Sequence, residues 1–135
     1  VAVTPAAGNS GPFGAIILGA VAAVVCYFAV SKLKPALGYD DALDTFGIHG
    51  IGGMIGAIGT GIVYSPALGG PGKPDFDMAH QLIVQLETVG TTIVVAAVGT
   101  VIAIYVAKAL TGLRVSQDVE VEGLDIGEHG ERAYN

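Results

Sequence analysis

The sequence predicts an all-α membrane protein: three transmembrane helices followed by a mostly irregular, acidic C-terminal tail. Three observations predict it. Residues 13–30, 46–64 and 88–107 contain no Lys, Arg, Asp or Glu, and each run is 18 to 20 residues long. Of the 135 residues 52% are hydrophobic and only 13% charged, with a mean hydropathy of +0.65. Six of the twelve acids (Asp118, Glu120, Glu122, Asp125, Glu128 and Glu131) fall in the last 18 residues, so the net charge of -6 belongs to the tail. A hydrocarbon core of about 30 Å needs roughly 20 residues of helix, which each run supplies. Backbone polar groups in lipid must be satisfied within the segment, which selects helix even for the valine-rich stretch 93–98.

Composition also excludes several classes. One cleaved signal peptide would show one short apolar run behind a basic start, whereas this chain has three runs and no basic start. The single cysteine, Cys26, lies mid-span, which rules out an internal disulfide. No basic footprint exists for a nucleic acid. Neither a nucleophile and base pair, nor a metal-spaced cluster, nor a phosphate-cradling glycine loop is present, so an enzyme, a metal and a cofactor are not expected.

The elements follow in order. Segment 1–11 (VAVTPAAGNSG) is small and turn-rich and reads as the end of something preceding it, on the extracellular side. Helix one runs over 12–34, where Pro35 stops it. Loop 35–41 leads into helix two, 42–64, with Asp41 or Asp44 placed to cap it or to favour its dipole. The prolines and glycines of 65–76 make an extracellular loop. Asp75 or Asp77 opens helix three, 77–112, longer than a bilayer requires and therefore tilted or protruding. Residues 113–135 form the tail. Lys32 and Lys34 flank the first loop, Lys108 and Arg114 the end of helix three, and only Lys73 the second loop. The positive-inside rule then places the first loop and the tail in the cytoplasm of a multi-pass cell-membrane protein.

Helix two is the most informative stretch. It carries glycine at 47, 50, 52, 53, 56, 59 and 61. Interior glycine costs about 1 kcal/mol relative to alanine in water, so this density needs a reason, and in lipid the usual one is close helix packing. At helical spacing His49 shares a face with Thr45 and Phe46 before it and with Gly52, Gly53 and Gly56 after it. Two readings of His49 stand. It is a structural histidine bonded to a neighbouring helix, or an intramembrane ionisable group that marks an ion or proton path. On helix three, His80, Glu87 and Thr91 share one face, a polar seam expected to face protein, with Glu87 more a hydrogen-bonding partner than a proton site.

Three segments carry a family resemblance. DDALDTFGIHGIGGMIGAIGTGIVYSPALGG (40–70), HQLIVQLETVGTTIV (80–94) and GLRVSQDVEVEGLDIGEHGERAYN (112–135) closely resemble the C-terminal part of the Amt/Mep/Rh ammonium transporters, in the Amt branch. TPAAG at 4–8 resembles the exit of that family's eighth helix, and the three helices resemble its ninth to eleventh. The resemblance implies a homotrimer of eleven-helix subunits, each with its own pore for ammonium or ammonia, completed here by the remaining helices of the same transporter. It implies that His49 is the second of two pore histidines sharing a hydrogen bond, with Phe46 and Thr45 close by. Asp41 and Asp44 would order the cytoplasmic mouth. Gly123, Leu124, Asp125, His129, Gly130, Glu131, Ala133 and Tyr134 match the regulatory tail, which couples the pore to PII-type signal proteins.

Two departures qualify the match. Plant members carry a phosphorylated threonine between Leu-Asp and His-Gly, whereas this chain reads Asp125, Ile126, Gly127, Glu128 and His129, without a hydroxyl. That switch is expected to be absent. The sequence also lacks the first pore histidine, the outer recruiting site and most of the aromatic gate, so the chain alone is expected not to transport. A PII-responsive sensor module is the alternative. A proton-translocating proteolipid fits less well, because Glu87 lies at the edge of its span on a third helix.

Overall fold

The computed structural model describes residues 1–132, all helix, turn and loop among them. It divides into two compact units, Val1–Thr92 and Ile93–Asn135. Three helices are long and apolar enough to cross a membrane: α1 (Pro12–Leu37), α2 (Phe46–Val63) and α3 (Met78–Leu110).

In the first unit, Pro12 opens α1 at a position where its missing N–H is not needed. The helix does not stop before Pro35, as the sequence predicts, but continues to Leu37. Between Ala29 and Leu33 it widens into a π turn, and the Lys34 N–H reaches back to the Ala29 carbonyl. Pro35 therefore stands in the first turn of the resumed α stretch, Lys34–Leu37, where an absent N–H and a bulky ring are tolerated. Gly38, at φ +63°, closes the helix.

α2 begins at Phe46 rather than at 42, because Asp44 adopts a left-handed φ of +55° that no helix can contain. Its first turn and a half, Phe46–Ile51, is again π-helical, and the α form starts at Gly52. α1 and α2 run antiparallel along a seam of small residues. A Cβ at position 14 would lie 3.0 Å from Val63 Cβ, one at 52 would lie 3.1 Å from Cys26 Sγ, and one at 47 would lie 2.8 Å from Val30 Cγ2. At position 59 it would strike Leu18 Cδ1, and at 56 the backbone carbonyl of Ala2. At 47, 52, 56, 59 and 61 glycine thus has the packing cause expected of it. The N-terminal segment closes over this seam through a short turn, Thr4–Ala6, and Ala6, Leu18 and Val63 form the buried cluster with Ile55 against it.

Ser65 caps the turn Pro66–Leu68, and Tyr64 meets Phe76 edge to face at 5.4 Å. Asp77, not Asp75, opens α3: its Oδ1 accepts from the N–H groups of Ala79 and His80 at 2.9 and 3.1 Å. The early turns of α3 meet Gly61 through Gln81, Leu82 and Gln85. Its 33 residues correspond to about 50 Å of helix at about 1.5 Å per residue.

In the second unit, the Thr111 hydroxyl bonds the Ala107 carbonyl at 3.2 Å, and Gly112 at φ +81° ends the helix. The acidic tail then carries two short helices, α4 (Gln117–Glu122) and α5 (Leu124–Gly127), within an otherwise irregular path. They meet where Gly127 lies against Val119. Arg114 Nε donates to Glu120 Oε1 at 2.8 Å.

Candidate functional site

The site grows from the loop that joins α1 to α2. Asp41 resolves the choice of cap: its Oδ1 accepts from Thr45 N–H and its Oδ2 from Phe46 N–H, both at 2.8 Å. These are donors that the first helical turn would otherwise leave unsatisfied. A carboxylate at this end also complements the helix dipole. Asp44 does a different job. Its Oδ1 takes a hydrogen bond from Lys34 Nζ at 2.6 Å, while the same ammonium donates to the Asp41 backbone carbonyl. Both aspartates thus order this end of α2, one through the helix N–H groups and one through α1.

Thr45, Phe46 and His49 stand on the segment so anchored. Tyr39 from the loop meets Phe46 edge to face, ring centroids 5.7 Å apart at 87°. The Phe46 ring then lies along the helix over Gly50, where a Cβ would be 2.9 Å from Phe46 Cδ2. His49 is exposed, as are Thr45 and Phe46, and no side-chain hydrogen bond reaches His49 among the described residues. π turns widen the helix and recur at functional sites. Here the turn spans Phe46–Ile51 and holds both Phe46 and His49, with buried Gly47 packed on Val30 as its fulcrum.

The structure corrects the face assignment around His49. Gly52 and Gly56 are buried in the seam against Cys26 and Ala2, while Gly53 opens to free space. The histidine is exposed and lies off the packed strip. The π turn holds an extra residue, so an α-helical period counted across it is offset. The side of α3 turned to α2 carries Gln81, Leu82 and Gln85, whereas His80, Glu87 and Thr91 are exposed. The threonine hydroxyls nearby bond within their own helix, Thr88 to the Val84 carbonyl and Thr92 to the Thr88 carbonyl, each at 2.8 Å.

The tail motif folds into one compact turn. Gly123, at φ +113°, leads into α5, and the Glu131 N–H returns to the Asp125 carbonyl at 2.9 Å. The N–H groups of Glu128 and His129 both reach the Leu124 carbonyl, and Gly130 turns at φ +65°. Ala133 and Tyr134 lie outside the described residues. Sequence reasoning counted Lys34 only as a topology signal, and it missed Tyr39 and the role of Gly50. For Gly50 a signal existed, since position i+4 from Phe46 is where a ring laid along the helix must pass. Among the described residues no three His, Cys, Asp or Glu side chains lie close enough to hold a metal ion.

The model of the Ammonium Transporter Family matches residues 1–134. The chain belongs to the ammonium transporter family. It is 47% identical to the ammonium transporter of Aquifex aeolicus over the whole of this chain and 32% of that protein. It is 46% identical to a putative ammonium transporter of Methanothermobacter thermautotrophicus, over 98% of this chain and 33% of that protein. Ammonium transporter Amt1 of Archaeoglobus fulgidus is 40% identical over 98% of this chain and 34% of its own length. The chain thus spans about a third of the length of the curated relatives it matches. These relatives are named as transporters rather than enzymes, and the family together with three apolar helices makes this a multi-pass membrane protein.

Proposed function

We propose that this chain is the C-terminal third of an ammonium transporter and supplies one wall of its pore, with His49 on the path of ammonium or ammonia. The observation that carries the reading is the π turn Phe46–Ile51, which holds an ionisable side chain exposed beside Phe46 inside an apolar span. Burying an ionisable group at membrane depth is expensive unless a path or partner uses it. Imidazole can donate and accept at once, which suits passage of a proton between partners. Thr45 and Phe46 border the path, Asp41 and Asp44 order its cytoplasmic mouth, and the working unit is a homotrimer with the tail in the cytoplasm. Segment 1–11 and loop 65–76 lie outside.

Ammonium uptake into proteoliposomes by the full-length transporter tests this. His49→Ala and His49→Asp are expected to abolish it or change its pH dependence. Flux and selectivity equal to wild type in both variants would remove His49 from the pore. The 135-residue chain reconstituted alone is expected to carry no ammonium.

The compact turn from Gly123 to Glu131 supports a second role, regulation of the pore by a PII-type signal protein. Gly123, Leu124, Asp125, His129, Gly130, Glu131 and Tyr134 would form that surface. Copurification of a PII protein, lost on truncation after Arg114, checks it.

A further inference from the structure

Lys34 is the residue on which the α1–α2 junction converges. From the last turn of α1 its ammonium reaches Asp44 Oδ1 at 2.6 Å and the Asp41 backbone carbonyl. Asp44 is the only non-glycine residue at positive φ among the described residues. An L side chain reaches that conformation against steric resistance and stays there when its surroundings hold it. The ion pair helps to hold it, beside the backbone hydrogen bonds from Asp44 N–H to the Asp41 carbonyl and from Ile48 N–H to the Asp44 carbonyl. Lys34 and Asp44 side chains are about a quarter to a third exposed, at 26% and 32%, so the pair is only partly screened by water. Asp41 is gripped at its carbonyl by the same ammonium, while its carboxylate takes the N–H groups of Thr45 and Phe46. One cation thereby bears on where α2 begins, and that start sets the height and azimuth of Phe46 and His49, two and five residues beyond Asp44.

We propose that Lys34 is a positioning residue for the ammonium path: acting through Asp41 and Asp44, it sets the placement of Thr45, Phe46 and His49 without touching the substrate. This rests on the pore reading of His49. Arginine can span the same two acceptors, and glycine at 44 removes both the strain and the carboxylate that Lys34 neutralises.

The test is ammonium uptake by the full-length transporter in proteoliposomes, normalised to inserted protein. Lys34→Met is expected to lower the maximal rate about tenfold with the half-saturating concentration unchanged, as misplacement of path residues does. Lys34→Arg is expected to stay within about threefold of wild type. The deciding variant is Lys34→Met with Asp44→Gly, expected to recover most of the rate, because glycine adopts the left-handed turn unaided. If Lys34→Met alone fails to insert, recovery of both insertion and uptake in the double variant supports the proposal. No recovery there, or wild-type uptake by Lys34→Met, overturns it. A role in attracting cations by charge would instead raise the half-saturating concentration and would not be rescued by removing Asp44. His49→Ala, run in parallel, separates the two readings: if it transports normally the pore reading fails, whatever Lys34 does.

Discussion

The Phe46 ring lies over Gly50, one helical turn along, so closely that a Cβ on residue 50 would sit 2.9 Å from Phe46 Cδ2. Only a position without a side chain lets the ring lie down along the helix while its other edge meets Tyr39. Gly50→Ala is therefore expected to turn Phe46 out and slow uptake. In a Phe46→Ala background the same change should have little further effect. A double-mutant cycle on uptake by the full-length transporter measures this, with a coupling of about 1 kcal/mol or more expected for residues in contact. Additive effects would mean that Gly50 acts on something other than Phe46.

Glycines in the seam differ in what opposes them. At Gly59 the obstacle is a terminal methyl of Leu18, which can swing, whereas at Gly56 it is the Ala2 carbonyl, which moves only with the backbone. Overpacking of this kind costs about 1 to 3 kcal/mol. Gly56→Ala is expected at the upper end and Gly59→Ala at the lower. Thermal unfolding of the full-length protein in detergent ranks them, and the reverse order would argue that the N-terminal segment does not close on α2.

Asp41 accepts two backbone hydrogen bonds, one on each carboxylate oxygen. Asp41→Ala removes both and should cost about 1 kcal/mol as a lost cap. Asp41→Asn keeps one acceptor and should lose less. Hydrogen exchange at the Thr45 and Phe46 amides reads the difference directly: faster exchange in Asp41→Ala than in Asp41→Asn is expected, and equal protection in all three proteins would deny the cap.

In the tail, Gly127 is the contact that lets α5 rest on Val119 of α4. Gly127→Leu is expected to separate the two short helices and abolish copurification with a PII protein, while unregulated ammonium uptake persists. Retained copurification would show that the surface does not depend on this packing.

Much of this architecture is legible in the residues. Charge-free runs mark the three spans because lipid allows few alternatives, and Asp77 before an apolar period marks the start of α3. His49 stands out because an ionisable group in such a run is rare. Two things were not legible. The run of α1 past Pro35 depends on the π turn Ala29–Leu33, a tertiary compromise that leaves no local signature. The left-handed Asp44, which delays α2 to Phe46, pairs with Lys34 ten residues earlier, a pairing that no period in the sequence announces. The face assignment that put His49 with the buried Gly52 and Gly56 went astray because a 3.6-residue period fails across a π turn.

The two π turns, Ala29–Leu33 and Phe46–Ile51, stand opposite one another, with Gly47 against Val30 at their junction. Each wider turn holds one residue more than an α turn would. Removing that residue would close the wide turn to an ordinary α turn and leave the helix beyond it in register, whereas a deletion elsewhere in either helix would swing everything beyond it by about 100° and carry a glycine or its opposing side chain out of the seam. Single-residue length changes are therefore tolerable at these two turns and costly elsewhere along the seam. In the evolutionary record of such chains, single deletions in α1 and α2 should gather near residues 31 and 48.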